Sequence, residues 1–329
     1  MTSDVFLTGG SGLVGGHLLS SLVADGARVT AMVRSAAAAA AVEDRGADPF
    51  LGDLLDTSSL ASAMLGSDVV FHVAGVNEMC SVDPQAMDRT NIDGTRSVVE
   101  AAGSAGVGRV VYTSSVSVIG EQRGAIGTEA TEHDGSFLSR YARSKFLGER
   151  AAFTMGEEFG VDVVAVNPAS VQGPGRSGGS ARILLHALRS RWPALVDVVF
   201  SVVDIDDCTR GHLLAATKGK PGNRYILSGG SISARAAVAA AESIAGRSIR
   251  PLWIPQGLMA TVGVPVASIA ARLRPNAGIC AEFIRTLDHG HRFDGSKATR
   301  DLGLVYTPLD ETFSRTIGWF TSEGLIRDA

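Results

Sequence analysis

Val5-Phe-Leu-Thr-Gly-Gly-Ser-Gly-Leu-Val-Gly15 runs from a short apolar stretch, through a cluster of glycines, into an apolar helical pattern. Gly9, Gly12 and Gly15 follow a G-x-x-G-x-x-G spacing. Such a turn lets the backbone approach a pyrophosphate closely and packs the following helix tightly on its strand. The helix start then offers unpaired N–H groups and a partial positive charge to the anion. In a chain with 39 glycines a triplet alone carries little weight. Its place between a first strand and a first helix is what gives it meaning.

Outward from this turn, short β-branched runs alternate with helical patterns. Residues 5–8, 28–33, 69–73, 109–113 and 161–166 read as strands. Residues 13–24, 83–105 and 139–159 read as helices, and the alanine-rich run 36–41 occupies the place of a second crossover helix. This alternation predicts an α/β, doubly wound parallel Rossmann sheet with a smaller C-terminal mixed α/β substrate domain. The pattern changes after Asn167-Pro168, at the glycine-rich loop 172–179. The expected division assigns residues 1–170, with a returning segment at about 203–229, to the dinucleotide-binding domain. Residues 171–202 and 230–329 are expected to form the substrate domain, with helices at 180–190, 234–244 and 309–320; a short strand at 225–227 lies in the returning segment.

The 329 residues are 45% hydrophobic, enough for a full core, and the net charge of −4 comes without any run of like charge. That balance argues against nucleic-acid binding. Cys80, Cys208 and Cys280 are few, odd in number and far apart, which predicts neither a disulfide framework nor a metal cluster and fits a reducing cytosol. The first residues lack a positive stretch, so no signal peptide is expected and the location is read as cytoplasmic. Residues 258–271 are strongly apolar but too short for a span and interrupted by Pro265. They read as a buried helix, with Arg272 and Arg274 leaving an interface-lying role open.

Tyr141 and Lys145 stand four residues apart in a chain with only four of each type. On a helix they share a face. An ammonium there is expected to draw the phenol down from its ordinary value near 10. Such a phenol can give or take a proton. The second strand ends in Arg34 rather than in the acid that holds a ribose 2′-hydroxyl. An arginine suits a 2′-phosphate, so NADP(H) is expected ahead of NAD(H).

With these motifs in order the chain resembles the extended short-chain dehydrogenases/reductases, the NAD-dependent epimerase/dehydratase family. Within it the likeness is to dihydroflavonol 4-reductase-like and hopanoid-associated sugar-epimerase-like proteins. Thr8, Gly9, Gly12, Leu13, Val14 and Gly15 match the family's first turn, and Gly52-Asp53-Leu54 its loop after strand three. His72-Val73-Ala74-Gly75 matches the end of strand four, and Asn91-Ile-Asp-Gly-Thr95 the following helix. Thr113-Ser114-Ser115 ends strand five, Tyr141 to Lys145 is the Y-x-x-x-K motif, and Asn167-Pro168 to Val171 resembles the loop lining the nicotinamide. The resemblance implies Ser115, Tyr141 and Lys145 as catalytic residues. Thr8, Gly9, Gly12, Leu13, Val14, Gly15, Arg34, Asp53, Leu54, Val73, Ala74, Gly75, Tyr141, Lys145, Pro168 and Val171 are implied to contact the cofactor, and the helix at 91–95 to be mainly structural. It also implies a homodimer, and hydride transfer between nicotinamide and a small carbonyl or secondary-alcohol substrate.

Two competing chemistries lose support. Sugar 4,6-dehydratases of this kind carry Asp-Glu after the catalytic hydroxyl, whereas Ser115 is followed by Val116-Ser117. A nucleotide-sugar 4-epimerase with tightly held NAD is the alternative function, and Arg34 disfavours it. His72 reads as packing or cofactor wall, while His186, Arg189 and Trp192 are candidates for the substrate pocket. Asp204, Asp206 and Asp207 read as helix caps. Without clustered His or Cys, no metal is expected.

Overall fold

The structure, a computed structural model, describes residues 3–178, 181–273 and 280–326. Its strands are β1 Asp4–Thr8, β2 Arg28–Val33, β3 Asp48–Leu51, β4 Val69–His72, β5 Arg109–Thr113, β6 Asp162–Pro168, β7 Ser170–Gln172, β8 Ala194–Val196, β9 Val199–Asp204, β10 Arg224–Leu227, β11 Gly230–Ser233 and β12 Leu252–Ile254. The main sheet has seven strands in the order β10-β6-β5-β4-β1-β2-β3, and every pairing in it is parallel. Strand order reverses between β1 and β4. In open parallel sheets that reversal leaves a crevice at the carboxyl ends of the two strands, because their connections leave on opposite faces.

Alternation along β1 shows why the sheet is covered on both sides. Val5 and Leu7 point into a cluster with Leu18, Leu19 and Leu22 of α1, Leu13–Ala24. Phe6 points the other way, against Leu60 and Met64 of α3 (Thr57–Met64), which follows α2 (Ala36–Glu43). Val98 and Val99 complete that face. They sit where α4 Pro84–Asp88, a π-helical turn Arg89–Asp93 and α5 Gly94–Ser104 run on without a break. The helix expected over 83–105 is therefore present but locally widened. Helix α6, Arg140–Phe159, opens on Ser139, whose hydroxyl accepts a hydrogen bond from Ala142 N.

Beyond β6 the chain builds a smaller mixed layer. β11, β9 and β7 form a three-stranded sheet, and β12 pairs with β8. The helices around these strands are α7 Ala181–Arg189, α9 Ala234–Ala245, α10 Val264–Leu273, α11 Ala281–His289 and α12 Leu309–Ser322, whereas α8 Ile205–Lys218 returns to the main sheet and packs beside α1 and β6. Leu184, Leu188, Val238, Phe313 and Phe320 close a separate hydrophobic cluster there. Gly179 and Ser180, named in the expected loop and helix, lie outside the described residues, as do Arg274 and the side chain of Arg272.

Two expectations are corrected. Cys80 and Cys280 form a disulfide, with Cα atoms 5.6 Å apart across 200 residues of sequence, while Cys208 is buried and unpaired. Sequence distance gave no hint, because the fold carries the loop after β4 to the start of α11. Residues 258–271 do not form a buried helix. Leu258, Val262 and Val266, spaced four apart, are 48%, 52% and 59% exposed, and among the described side chains of the stretch only that of Ala267 is buried. Among the described residues no helix is long and apolar enough to cross a membrane.

Phe6 is fully buried at the centre of the sheet and faces Phe50 with ring centroids 6.2 Å apart. Truncation there leaves a cavity that the rigid strands cannot close, so Phe6→Ala should cost about 3–5 kcal/mol. Urea unfolding checks this; a loss under about 1 kcal/mol would place the core elsewhere.

Candidate functional site

The carboxyl ends of β1, β2, β4, β5 and β6 open into one cleft of about 1960 Å³, which continues into the smaller layer. Gly9, Gly12, Leu13, Val14, Gly15, Arg34, Leu54, Val73, Ala74, Gly75, Ser115, Tyr141, Lys145, Pro168 and Val171 all line it. Thr8 and Asp53 do not. Thr8 is fully buried, its hydroxyl bonded to His72 Nδ1 at 2.8 Å and accepting from Ala74 N at 3.1 Å. Asp53 turns back on its own loop to accept from Leu55 N.

The glycine turn fits a dinucleotide phosphate because side chains have no room in it. Gly9 has φ +78°, and a Cβ there would stand 2.6 Å from Ala74 N. A Cβ on Gly15 would overlap the Gly9 carbonyl oxygen. The chain therefore passes at backbone contact from β1 to β4 and enters α1 without a side-chain cap at Gly12. The helix start is left to an anion. Arg34 stands exposed at the end of β2 on the same wall, and Ser35 after it caps α2 by accepting from Ala38 N.

Ser115 is positioned from two sides. Its carbonyl accepts from Asn167 Nδ2 at 3.1 Å, and its hydroxyl accepts from Ser117 N at 3.2 Å, starting a short 3-10 turn. Asn167 is itself anchored by donating to the buried Glu149 at 2.7 Å, and Glu149 pairs with Arg224 at 3.2 Å. Tyr141 and Lys145 are buried on one face of α6. Lys145 Nζ donates to the Thr113 carbonyl at 2.6 Å and lies 4.7 Å from the centre of the Tyr112 ring. The π-helical turn joins this assembly: Asn91 exchanges hydrogen bonds with the Val76 backbone and donates to Ser144 Oγ at 2.9 Å. It thereby fixes the loop after β4 against α6.

The charges differ from the sequence expectation in one respect. Burial raises the Tyr141 phenol above its ordinary value, opposed by a hydrogen bond with Ser115 and by the positive charge of Arg176. The Lys145 ammonium is directed at the Thr113 carbonyl. Burial pushes Lys145 itself down to about 8, with Glu149 acting to raise it. Arg176, in the loop after β7, is the cation that faces Tyr141. Its Nε is buried without a hydrogen-bond partner, and burial lowers its pKa.

The remaining polar residues separate clearly. His72 is fully buried between Thr8 and Thr95, and burial, with Lys145 adding to it, holds its pKa down to about 3. It is a neutral packing residue behind the cleft. His186 and Arg189 line the cleft, whereas Trp192 is 64% exposed and lies under Arg250. Asp204 caps α8 by accepting from Asp206 N, and Arg315 bridges Asp204 and Asp206. Asp207 accepts from Thr307 N and pairs with Arg210.

Sequence reading passed over Asn91 and Asn167 as positioning residues, and over Arg176, although each stands in a segment it had singled out. It also expected no clustered metal-ligating groups, which the fold corrects. Glu121, His289 and His291 meet on the cleft wall from positions 168 and 170 residues apart. No local period signals such a meeting.

A parallel sheet with the 3-2-1-4-5-6 reversal, a glycine turn at the reversal and a Tyr-Lys face beside a strand-end serine define a dinucleotide-binding α/β protein. The family model for the NAD dependent epimerase/dehydratase family matches residues 5–228, and the chain belongs to that family. It is 31% identical to a Synechocystis sp. protein whose name provisionally makes it a dihydroflavonol 4-reductase, over 99% of this chain and 97% of that one. It is also 31% identical to sterol demethylase protein B of Methylococcus capsulatus, over 97% of this chain and 99% of the relative. The crystal structure of gox2253 superposes with a TM-score of 0.86 at 28% identity, covering 99% of this chain and 100% of that one.

Gly15→Ala should weaken nicotinamide dinucleotide binding by at least about tenfold, equivalent to about 1.4 kcal/mol. Cofactor titration by fluorescence reads it, and unchanged affinity would remove the turn from the binding site.

Proposed function

We propose that the protein is an NADP(H)-preferring oxidoreductase that interconverts a carbonyl and a secondary alcohol, with Tyr141, Ser115 and Lys145 as its catalytic residues. The observation that carries this reading is the meeting of Ser115, Tyr141 and Lys145 on the wall of the one cleft that the glycine turn also lines. When bound, the nicotinamide supplies or accepts the hydride. Gly9, Gly12 and Gly15 would cradle its pyrophosphate, Arg34 a 2′-phosphate, and Lys145 the nicotinamide ribose.

Tyr141 O–H donates its proton to the carbonyl oxygen in reduction and takes it back in oxidation. Ser115 donates a hydrogen bond to the same oxygen as negative charge develops on it. The phenolate left on Tyr141 faces Arg176 across a buried site, where a charge pair is screened little. Lys145 orients the ribose side of the site and keeps α6 docked on β5 through Thr113. Exclusion of water falls to the smaller layer, which presents Leu184, Leu195, Phe283, Ile284 and Phe313 to the cleft. That wall suits a substrate with a large apolar part, and the names of both curated relatives, a dihydroflavonol reductase and a sterol demethylase component, point to polycyclic compounds. The division into a dinucleotide-binding part (1–170 with 203–229) and a substrate-binding part (171–202 with 230–329) belongs to the same proposal.

Tyr141→Phe should bind cofactor within about threefold of the parent chain and lose at least about 100-fold in turnover of ketone substrates. Retained turnover would exclude Tyr141 as the proton donor. Arg34→Ala should weaken NADPH binding by about 10- to 100-fold, one or two charge-assisted hydrogen bonds' worth, and leave NADH nearly unchanged. Equal losses for both cofactors would contradict the assignment of Arg34 to the 2′-phosphate.

A further inference from the structure

The cluster of Glu121, His289 and His291 lies on the wall of the cleft, apart from Ser115, Tyr141 and Lys145. Glu121 follows the 3-10 turn beyond Ser115, and its side chain is only 4% exposed. His291 Nδ1 lies 2.6 Å from Glu121 Oε1, and His289 Nε2 lies 3.9 Å from the same oxygen. Among the described residues these two imidazoles are the only groups paired with that carboxylate. Arg123, two residues along the chain, is instead engaged with Asp288 at 3.2 Å. A carboxylate removed from water needs compensating charge.

The backbone builds this arrangement rather than leaving it to side-chain rotamers. His289 ends α11, and Gly290 follows with φ +68°; a Cβ on it would stand 3.1 Å from the Val199 carbonyl. His291 N donates to that carbonyl at 2.8 Å, which clamps the turn to β9. Two imidazoles flanking a left-handed glycine are thereby brought to one side, ring centroids 5.1 Å apart, and His291 stacks on Phe293. Phe293 is held in turn by Ser201, whose hydroxyl accepts from its backbone N–H.

The geometry points to a divalent transition-metal site, with Glu121, His289 and His291 as ligands and zinc-type chemistry as the best match. One ligand atom from each residue lies within 4.8 Å of the other two. In a tetrahedral zinc site, with bonds of about 2.1 Å, ligand atoms stand about 3.4 Å apart, so shifts of about an ångström complete the set. Two neutral imidazoles and one carboxylate are the donors that borderline divalent ions prefer. Three protein ligands leave a coordination position open. Because all three residues line the cleft, that position would take water or an oxygen of the substrate. The site adds a cation to the substrate side of the cleft and does not depend on the hydride-transfer reading.

The test uses the full chain, stripped with a chelator and titrated with Co²⁺ as a spectroscopic probe, with metal content measured after gel filtration. The expected result is one Co²⁺ per chain with visible absorption of a four- or five-coordinate ion, displaced by Zn²⁺. Glu121→Gln, His289→Gln and His291→Gln should each weaken binding at least tenfold, while His186→Ala, elsewhere on the cleft wall, should not. Cofactor binding and thermal melting of every variant separate ligand loss from unfolding. Absence of stoichiometric binding in the parent chain, or equal binding in all variants, would overturn the site and leave a histidine–carboxylate pair. The readout is metal content rather than turnover, so its failure is distinct from failure of the oxidoreductase proposal.

Discussion

The backbone of β1 meets the backbone of β4 at Gly9 and Ala74 with no room for a methyl group between them. Most of the cleft depends on that contact. It brings the first turn and the end of the fourth strand side by side at the point where strand order reverses, and a crevice must open there. Thr8 secures it from below, bonding both to His72 and to Ala74 N. His72 passes the constraint to Thr95, and Asn91, one helical turn earlier, passes it to Ser144 on α6. The glycine turn and the Tyr141 face are thus tied by one buried polar chain. Buried polar groups of this kind are stable only when each finds a partner, which restricts the arrangement to a single geometry.

Much of this was legible because the relevant signals are local. Strands β2 and β5 and helix α1 fall on their expected residues, since hydrophobic periodicity and the glycine turn act over a few residues. Tyr141 and Lys145 share a face for the same reason. What escaped was set by long-range approach. The direction of the Lys145 ammonium depends on a carbonyl of β5, and the charge opposite Tyr141 comes from Arg176 in a loop. The exposed face at Leu258, Val262 and Val266 could not be distinguished from a buried one, because periodicity identifies a stripe but not what covers it. The π-helical turn at Asn91 has no compositional mark at all.

The same distinction separates the two ends of the cleft. At the dinucleotide end, residues act through backbone shape and through motifs readable in order. At the other end, an apolar wall is built by residues from α7, β8, α11 and α12, and its polar groups arrive singly. Glu121, His289 and His291 are three such arrivals that meet. One fold can carry different substrates because this wall is assembled from segments that do not position the glycine turn.

The bond between Cys80 and Cys280 acquires a meaning from where its ends lie. Met79 and Glu78, beside Cys80, line the cleft, and so do Phe283, Ile284 and Leu287 of α11, which begins just after Cys280. The disulfide joins these two segments directly. Opposing walls of a cleft ordinarily separate by independent fluctuations, and width is then governed by weak packing. Here a covalent bond ties the loop after β4 to the start of α11, so the separation of those two segments is held by two sulfur atoms rather than by packing alone.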